Sequence, residues 1–184
     1  EKVNATTQRV PIDPTLYSAI VILGGPMSVY ENSGFINDQI NLARISSKKE
    51  IPLLGICLGS QIVAQSSGGT VFKGPNKEIG WHEIMIESSG NEDLFSGFQN
   101  SRPMVFQWHG DTFSLPKTAR ILARSKLYPE AFAVSSLIGI QFHLEVTDKM
   151  IRSWLRTYNS EVVSEKIDVQ KMVKESAAYL KELE

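Results

Sequence analysis

Residues 51–61 read IPLLGICLGSQ, a short apolar run that stops at Cys57, the only cysteine in the chain. A nearly continuous apolar run of this length is typical of a strand in a parallel sheet that is covered on both faces. The spacing Gly-x-Cys-x-Gly is that of a nucleophile elbow, in which a strand turns sharply into a helix and exposes its central residue. We therefore expect Gly55 and Gly59 to be required because strand and helix approach closely there.

A second apolar run lies upstream, at residues 16–23 (LYSAIVIL), and ends at Gly24. Between the two runs Ile36, Ile40 and Ala43 recur at helical spacing. A strand, helix, strand order implies a right-handed crossover and a parallel sheet, so residues 16–23 are also predicted to form a doubly covered strand.

The second half of the chain predicts a different arrangement of secondary structure. Six short strand candidates follow one another closely: TVFK (70–73), HEIMIE (82–87), MVFQW (104–108), RILA (120–123), AFAV (131–134) and LIGIQF (137–142). They predict antiparallel hairpin strands added to a mostly parallel central sheet. Three further segments predict helices: residues 60–67 closed by Gly68, residues 149–158 after Thr147 as N-cap, and residues 168–184.

Length and charge restrict the function. The 184 residues fit one domain, and 19 basic against 20 acidic residues leave a net charge of -1. We expect no nucleic-acid or membrane partner, because no strong positive charge and no apolar stretch of about 20 residues is present. A single unpaired cysteine favours a reducing compartment, so a cytoplasmic protein acting on a small polar substrate is predicted.

Cys57 has two interpretations. A lone cysteine is often a small buried hydrophobe. The flanking glycines and the strand-to-helix context favour a nucleophile instead, since amides and the positive dipole end at a helix N-terminus stabilise a thiolate.

A cysteine nucleophile needs a base, and strand alternation in residues 137–145 places Gln141, His143 and Glu145 on one face. A carboxylate beside an imidazole can orient it, although such a pair also occurs at ordinary strand ends. A metal could use His-x-Glu, but no further ligand cluster is evident, so no metal is expected. Of the other histidines, His109 is predicted to lie in a tight turn with a structural or pocket-wall role, and His82 to be a partly buried strand residue.

The stretch LGGPMS at residues 23–28 is either a strand-ending turn or an oxyanion loop. It lacks the G-x-G-x-x-G form of a dinucleotide site. Next to a nucleophile, the N–H groups of Gly25 and Leu58 would form a two-donor oxyanion hole.

These stretches together resemble the class I, triad-type glutamine amidotransferases. The chain is most similar to the stand-alone proteins related to the glutaminase domain of GMP synthetase, through GGPMSV, KEIGW and WHGDTF, and the resemblance runs from Leu16 to Thr147. It implies a flavodoxin-like, three-layer α/β fold with no cofactor. It also implies hydrolysis of the glutamine side-chain amide to glutamate and ammonia through a cysteinyl thioester.

The resemblance also implies roles for individual residues. Cys57 would attack the amide carbon, His143 would shuttle the proton and Glu145 would orient His143. The oxyanion donors would be Gly25 and Leu58, and the residues around the substrate would be Gln61, Trp108, Gly110 and Asp111.

Two departures from the family stand out. The family usually has proline between the histidine and glutamate of the triad, where this chain has Leu144. Family members also begin with an extra strand and helix before the run that corresponds to residues 16–23. Part of the native N-terminus is therefore expected to be missing from the domain at 1–184, which would leave an unpaired sheet edge and a mobile oxyanion loop.

Three functions remain open at the level of sequence. The first is a glutaminase that supplies ammonia to a synthetase on a separate chain. The second is a hydrolase of γ-glutamyl amides or peptides with the same nucleophile. The third is a non-catalytic binding or regulatory module that docks through its C-terminal helix.

Overall fold

The computed structural model describes residues 1–31, 33–87, 94–95, 98 and 102–183 of the chain. The strands are β1 (Ile20–Ile22), β2 (Leu53–Ile56), β3 (Thr70–Glu83), β4 (Met85–Ile86), β5 (Met104–Ser114), β6 (Arg120–Arg124), β7 (Pro129–Val134) and β8 (Leu137–Ile140). The α-helices are α1 (Gly34–Lys48), α2 (Leu58–Ser66), α3 (Asp148–Thr157), α4 (Asn159–Ser164) and α5 (Val169–Tyr179). Short 3-10 helices cover Pro14–Leu16, Val29–Glu31 and Leu180–Glu182.

The central sheet has six strands in the order β1-β2-β8-β7-β6-β4. Strands β1, β2 and β8 are parallel, and β7, β6 and β4 extend the sheet by antiparallel pairing. Strands β3 and β5 form a separate antiparallel pair. The predicted α/β class, with parallel strands and added hairpin strands, is confirmed.

Helices α1 and α2 cover one face of the parallel strands. The residues predicted from their helical spacing, Ile36, Ile40 and Ala43, are buried against α2 and the sheet. Helix α2 is buried on nearly all sides, since every residue from Leu58 to Ala64 is buried. It ends as predicted, because Gly68 adopts φ +92° and the N–H of Gly69 donates to the carbonyl of Ala64.

The first strand differs from its prediction. Only Ile20–Ile22 of the apolar run is extended, and the side chains of Val21 and Leu23 are 57% and 58% exposed. The expectation of a doubly covered strand is therefore wrong for β1. It pairs with β2 alone and forms one edge of the six-stranded sheet among the described residues, with Ile22 packed on the side of α1 and α2.

The β3–β5 pair carries the C-terminal helices. A core of Trp81, Phe106, Ile151, Leu155, Val162 and Met172 joins this pair to α3, α4 and α5. Helix α3 begins at the predicted cap, where Thr147 Oγ1 accepts from the N–H of Met150. Helix α4 was not predicted. No helix in the described ranges is long and apolar enough to cross a membrane.

Candidate active site

Cys57 lies at a sharp turn between β2 and α2. Its backbone has φ 52° and ψ -109°, a strained conformation for a residue with a side chain. A Cβ at Gly55 would lie 2.2 Å from the carbonyl oxygen of Gly59, and a Cβ at Gly59 would lie 2.1 Å from that of Ile22. The close approach predicted from the two glycines is therefore present, and it forces the turn at Cys57.

The backbone N–H and carbonyl of Cys57 are both hydrogen-bonded, whereas its thiol does not cap α2. The N–H of Cys57 donates to the carbonyl of Ile140, and its own carbonyl accepts from the N–H groups of Ser60 and Gln61. The thiol makes no capping hydrogen bond with α2. It is buried, and Gln141 Nε2 lies 3.7 Å from the sulfur. The side chain is thus left to interact with the groups that face the turn.

His143 is one of those groups. Its N–H donates to the carbonyl of Phe106 at 2.8 Å and its Nδ1 donates to Glu145 Oε1 at 2.6 Å. The imidazole is also close enough to the Cys57 side chain to interact with it electrostatically. Burial alone would lower the pKa of this imidazole. The interaction with Cys57 and the hydrogen bond to Glu145, together with the charges of those side chains, instead raise the pKa to about 10.

Glu145 lies at the surface, with 34% of its side chain exposed. Burial of the remainder would raise the pKa of this carboxyl group. The hydrogen bond and charge of His143, with the backbone N–H groups of Glu145 and Leu144, outweigh that effect and lower the pKa below its ordinary value. The carboxylate therefore stays ionised beside the imidazole, which fixes Nδ1 as the protonated nitrogen.

The glycine loop after β1 lies against the nucleophile. A Cβ at Gly24 would be 3.3 Å from the Cβ of Cys57 and 3.4 Å from Cε1 of His143. A Cβ at Gly25 would be 3.1 Å from Cδ2 of Leu58. Both residues named for the oxyanion hole, Gly25 and Leu58, are thus brought together beside Cys57.

Asp111 ties that loop to β5. Its carboxylate accepts from Ser28 Oγ at 2.6 Å and from the hydroxyl of Tyr30 at 2.9 Å. Its backbone carbonyl faces Gln61 Nε2 at 3.5 Å, and Gln61 Nε2 also lies 3.4 Å from Gln141 Oε1. Gln61 and Asp111 are therefore next to each other, as the proposed substrate site requires.

Gly110 and Trp108 occupy different surroundings. A Cβ at Gly110 would be 3.1 Å from Cγ of Lys77, so the lysine side chain covers this residue. The indole of Trp108 points toward the C-terminal helices, where its Nε1 donates to Glu161 Oε2 at 2.9 Å. The structure does not bring the Trp108 side chain to Cys57; only its backbone follows the strand that leads to Asp111.

His109 does not lie in a turn. The prediction is wrong because β5 continues through Gly110 and Asp111 to Ser114, and the irregularity in the ladder falls in β3 between Lys73 and Glu78. His109 is buried, and its Nδ1 donates to the carbonyl of Asp111 at 3.0 Å. It is a structural histidine behind the site. His82 is partly buried and donates to the carbonyl of Ile79.

His109 belongs to a buried cluster with Glu78 and Glu130. The ligand atoms of the three side chains lie within 4.8 Å of one another, close enough to hold a metal ion, and no other such group occurs among the described residues. Burial and the charge of Glu78 hold the pKa of Glu130 well above its usual range. Burial would also raise the pKa of Glu78, but the His109 imidazole 3.5 Å away, the neighbouring carboxyl group of Glu130 and the hydrogen bond from Ser125 Oγ lower it. The two pKa shifts are accounted for if the pair of carboxyl groups holds one proton. That proton lies on Glu130, and Glu78 is ionised.

Sequence reasoning missed this cluster and the contacts of Ser28, Tyr30 and Gln141. Gln141 was placed correctly on the face of His143, and that alternation could have suggested its contact with Cys57. Nothing local in the sequence connects Glu78 with Glu130, which lies 52 positions later.

The arrangement supports acyl transfer. A thiol on a helix N-terminus faces an imidazole whose other nitrogen is held by a carboxylate. Such a group can attack a carbonyl carbon, and glycine amides beside it can bind the oxygen that becomes negative.

Comparison with known proteins agrees with this chemistry. The family model described as "Glutamine amidotransferase class-I" matches residues 2–156. The chain is 36% identical over 136 residues to the GMP synthase [glutamine-hydrolyzing] of Chlorobium chlorochromatii, covering 70% of this chain and 25% of that protein. It is 34% identical over 148 residues to the enzyme of the same name from Schizosaccharomyces pombe, covering 77% of this chain and 26% of that protein. The chain thus spans about a quarter of these curated relatives.

Solved structures are also similar. A glutamine amidotransferase from Thermotoga maritima aligns with a TM-score of 0.82 at 36% identity, over 96% of this chain and 76% of that one. A glutamine amidotransferase from Methylobacillus flagellatus aligns with a TM-score of 0.87 over 97% of this chain and 76% of that one. At 24% identity, the second match bears on the fold alone.

Proposed function

The chain belongs to the class I glutamine amidotransferase family, and on that premise we propose that it hydrolyses the side-chain amide of glutamine to glutamate and ammonia. The observation that carries the proposal is the geometry of Cys57, His143 and Glu145. The cysteine occupies a strained elbow and interacts electrostatically with an imidazole whose Nδ1 is held at 2.6 Å by a carboxylate.

The first half of the reaction forms a thioester. His143 takes the proton of Cys57, and the thiolate attacks the amide carbon of glutamine. The N–H groups of Gly25 and Leu58 bind the oxyanion of the tetrahedral intermediate. When the C–N bond breaks, His143 returns its proton to the leaving nitrogen, which departs as ammonia and leaves a γ-glutamyl thioester on Cys57.

The second half releases glutamate. His143 removes a proton from a water molecule, whose oxygen attacks the thioester carbon through a second oxyanion. Collapse of this intermediate breaks the C–S bond, and His143 gives the proton to the sulfur. Glu145 stays ionised throughout and stabilises the imidazolium that forms in each half.

The amino-acid end of glutamine would bind between Gln61 and the β5 backbone at Gly110 and Asp111. Support comes from the contact of Gln61 with the carbonyl of Asp111 and from the hydrogen bonds that join Asp111 to the glycine loop. The indole of Trp108 faces Glu161, so we assign to Trp108 a backbone contribution to this pocket rather than a side-chain contact.

The relatives' names suggest the fate of the ammonia. They are GMP synthases that hydrolyse glutamine, and this chain matches about a quarter of their length. We propose that the ammonia is passed to an acceptor synthetase on a separate chain. The non-catalytic alternative is disfavoured, because Met172 and Ser176 of α5 are buried on the protein's own β3 rather than free for docking.

Labelling by a diazoketone analogue of glutamine, followed by intact mass, tests the activity directly. A single cysteine makes the adduct unambiguous. We expect one adduct, protection by excess glutamine, and ammonia release from glutamine that Cys57→Ala abolishes. Ammonia release that survives Cys57→Ala would refute the proposal. Stronger protection by a γ-glutamyl dipeptide than by glutamine would favour a γ-glutamyl hydrolase.

A further inference from the structure

The segment that carries His143 has little regular structure. Strand β8 ends at Ile140 and α3 begins at Asp148. Two backbone hydrogen bonds hold the start of this segment, from the N–H of Gln141 to the carbonyl of Glu130 and from the N–H of His143 to that of Phe106. Such bonds fix the backbone, but they do not fix the rotation of the imidazole about its side-chain bonds.

Glu145 alone does not fix the ring either. It lies on the same segment as His143, two residues along, and a third of its side chain is exposed. The residue between them is Leu144, which leaves the linking backbone less restricted than a proline would. Cys57 and Gly24 approach the imidazole from one side, and a rigid group on another side would restrict its rotation further.

The indole of Trp154 is such a group. Helix α3 starts just after the segment and turns the chain back, so that the ring centroids of Trp154 and His143 lie 5.0 Å apart with an interplanar angle of 68°. This is an edge-to-face contact, a favoured geometry for aromatic rings.

The indole is itself held firmly. It contacts the rings of Phe106 and Trp108, at centroid distances of 6.1 Å and 5.9 Å. Its helix is anchored by Ile151 and Leu155, both buried in the core beneath α3. Phe106 therefore holds the His143 backbone through its carbonyl and the Trp154 indole through its ring.

We propose that Trp154 is a positioning residue that holds the His143 imidazole with one nitrogen toward Cys57 and the other toward Glu145. An electron-rich indole also stabilises a neighbouring cation, so the contact favours the imidazolium that pairs with a thiolate. The inference rests on the proposed function, because it assigns Trp154 a part in forming that pair.

The test measures the rate of Cys57 alkylation by iodoacetamide between pH 5.5 and 9, which needs no turnover of glutamine. Trp154→Leu removes the aromatic ring, whereas Trp154→Phe keeps one. Trp81→Phe is the matched control, because Trp81 also packs on Phe106 but bonds to Ser176 rather than facing the site. Circular dichroism and thermal melting monitor the fold of each variant.

We expect Trp154→Leu to slow alkylation at pH 6 by about five- to tenfold and to converge with the wild type near pH 9. The alkylation rate of Trp154→Phe should stay within about threefold of the wild-type rate at pH 6. The rate of the control, Trp81→Phe, should equal that of the wild type. If Trp154→Leu does not fold, Trp154→Met replaces it with a more adaptable apolar side chain.

The outcomes separate the two proposals. A wild-type protein that reacts no faster at pH 6 than a free thiol would show that no thiolate pair forms in the resting site, and the role of Trp154 would fail. The proposed function is decided separately, by ammonia release from glutamine in the wild type and in Cys57→Ala. The wild type could instead be alkylated rapidly at pH 6 while the folded Trp154→Leu or Trp154→Met variant shows the same dependence of alkylation rate on pH. That result would overturn the role of Trp154 alone.

Discussion

At the scale of single residues, the charge on His143 would set the pH range of the proposed reaction. Its pKa is raised to about 10 by Cys57 and Glu145, so the imidazolium that must protonate the leaving nitrogen persists well above neutral pH. Glutaminase activity is therefore expected to stay high to about pH 9 and to fall as the pH passes through 10.

Glu145→Gln should move that alkaline limit. Removing the carboxylate lowers the pKa of His143, so ammonia release is expected to decline at a lower pH than in the wild type, with a lower maximum rate. Asp148→Asn is the control, since Asp148 carries the same charge nearby but pairs with Arg152. An alkaline limit that is identical in Glu145→Gln and the wild type would contradict this role of Glu145.

Leu144 offers a second residue-scale prediction. Its backbone N–H is among the groups that lower the pKa of Glu145, and its side chain packs on a core that includes Val105 and Phe142. Leu144→Pro removes the donor and the side chain, whereas Leu144→Ala removes the side chain alone. Carboxyl resonances followed by NMR should show a higher pKa for Glu145 in Leu144→Pro than in Leu144→Ala. Equal values would mean that the N–H contributes nothing.

The candidate site was predictable where the pattern is local. Gly55, Cys57 and Gly59 lie within five positions, and a period of two relates Gln141, His143 and Glu145. The contact of Ser28 with Asp111 spans 83 positions. No local spacing records such a contact, because it depends on how the glycine loop and β5 pack in the finished fold.

At the scale of elements, the nucleophile elbow depends on contact between α2 and two strands. Gly59→Ala would place a methyl group 2.1 Å from the carbonyl oxygen of Ile22, a backbone atom that cannot rotate away. We expect a loss of ~2 kcal/mol or more in the free energy of unfolding, measured with urea, because overpacking forces the helix to shift.

Gly34→Ala is the matched control for that change. Gly34 is the first residue of α1, and a Cβ there has no neighbouring atom within 4 Å. The substitution should be neutral or stabilise the protein by up to ~1 kcal/mol, because alanine is a better helix former than glycine. A Gly59→Ala protein as stable as Gly34→Ala would refute the close-approach explanation of the elbow.

Element type was predictable from apolar spacing more reliably than element ends. Helix α1 follows its predicted apolar period, and α3 begins after the predicted Thr147 cap. The turn predicted at Gly110 failed because pairing with β3 outweighs the local preference of Gly-Asp for turns. Strand β1 is shorter and more exposed than its apolar run suggested, since burial depends on what covers the sheet edge.

At the scale of the whole molecule, two sheets must pack against each other for the site to form. Glu78 on β3 and His109 on β5 belong to the two-stranded sheet, whereas Glu130 on β7 belongs to the central sheet. Gln107 Nε2 also donates to Glu130 Oε2 at 2.7 Å across this boundary. The buried cluster therefore joins the sheets directly behind Asp111, through the hydrogen bond from His109 to its carbonyl.

Glu130→Gln tests whether the Glu130 carboxyl group is protonated in the folded protein. Burial beside Glu78 raises the pKa of Glu130 well above 4.5, so folding requires this carboxyl group to take up a proton once the pH exceeds 4.5. The wild type should lose stability as the pH rises above that value, by up to about 1.4 kcal/mol per pH unit until the folded-state pKa is reached. Glutamine imitates the protonated acid without this cost, so Glu130→Gln should gain stability over the wild type from pH 5 to pH 8 in urea unfolding.

Glu78→Gln should behave in the opposite way. The pKa of Glu78 is lowered in the fold, so its ionised form contributes stability above pH 4.5 that is lost as the pH falls through the folded-state pKa. Its amide variant should be less stable than the wild type at pH 7, with a smaller deficit toward acid pH. A Glu130→Gln effect that is constant with pH, or equal in sign to that of Glu78→Gln at pH 8, would show that the two carboxyl groups do not share one proton. The two substitutions are expected to change stability in opposite directions because Glu78 is the anion of the pair and Glu130 is the protonated acid.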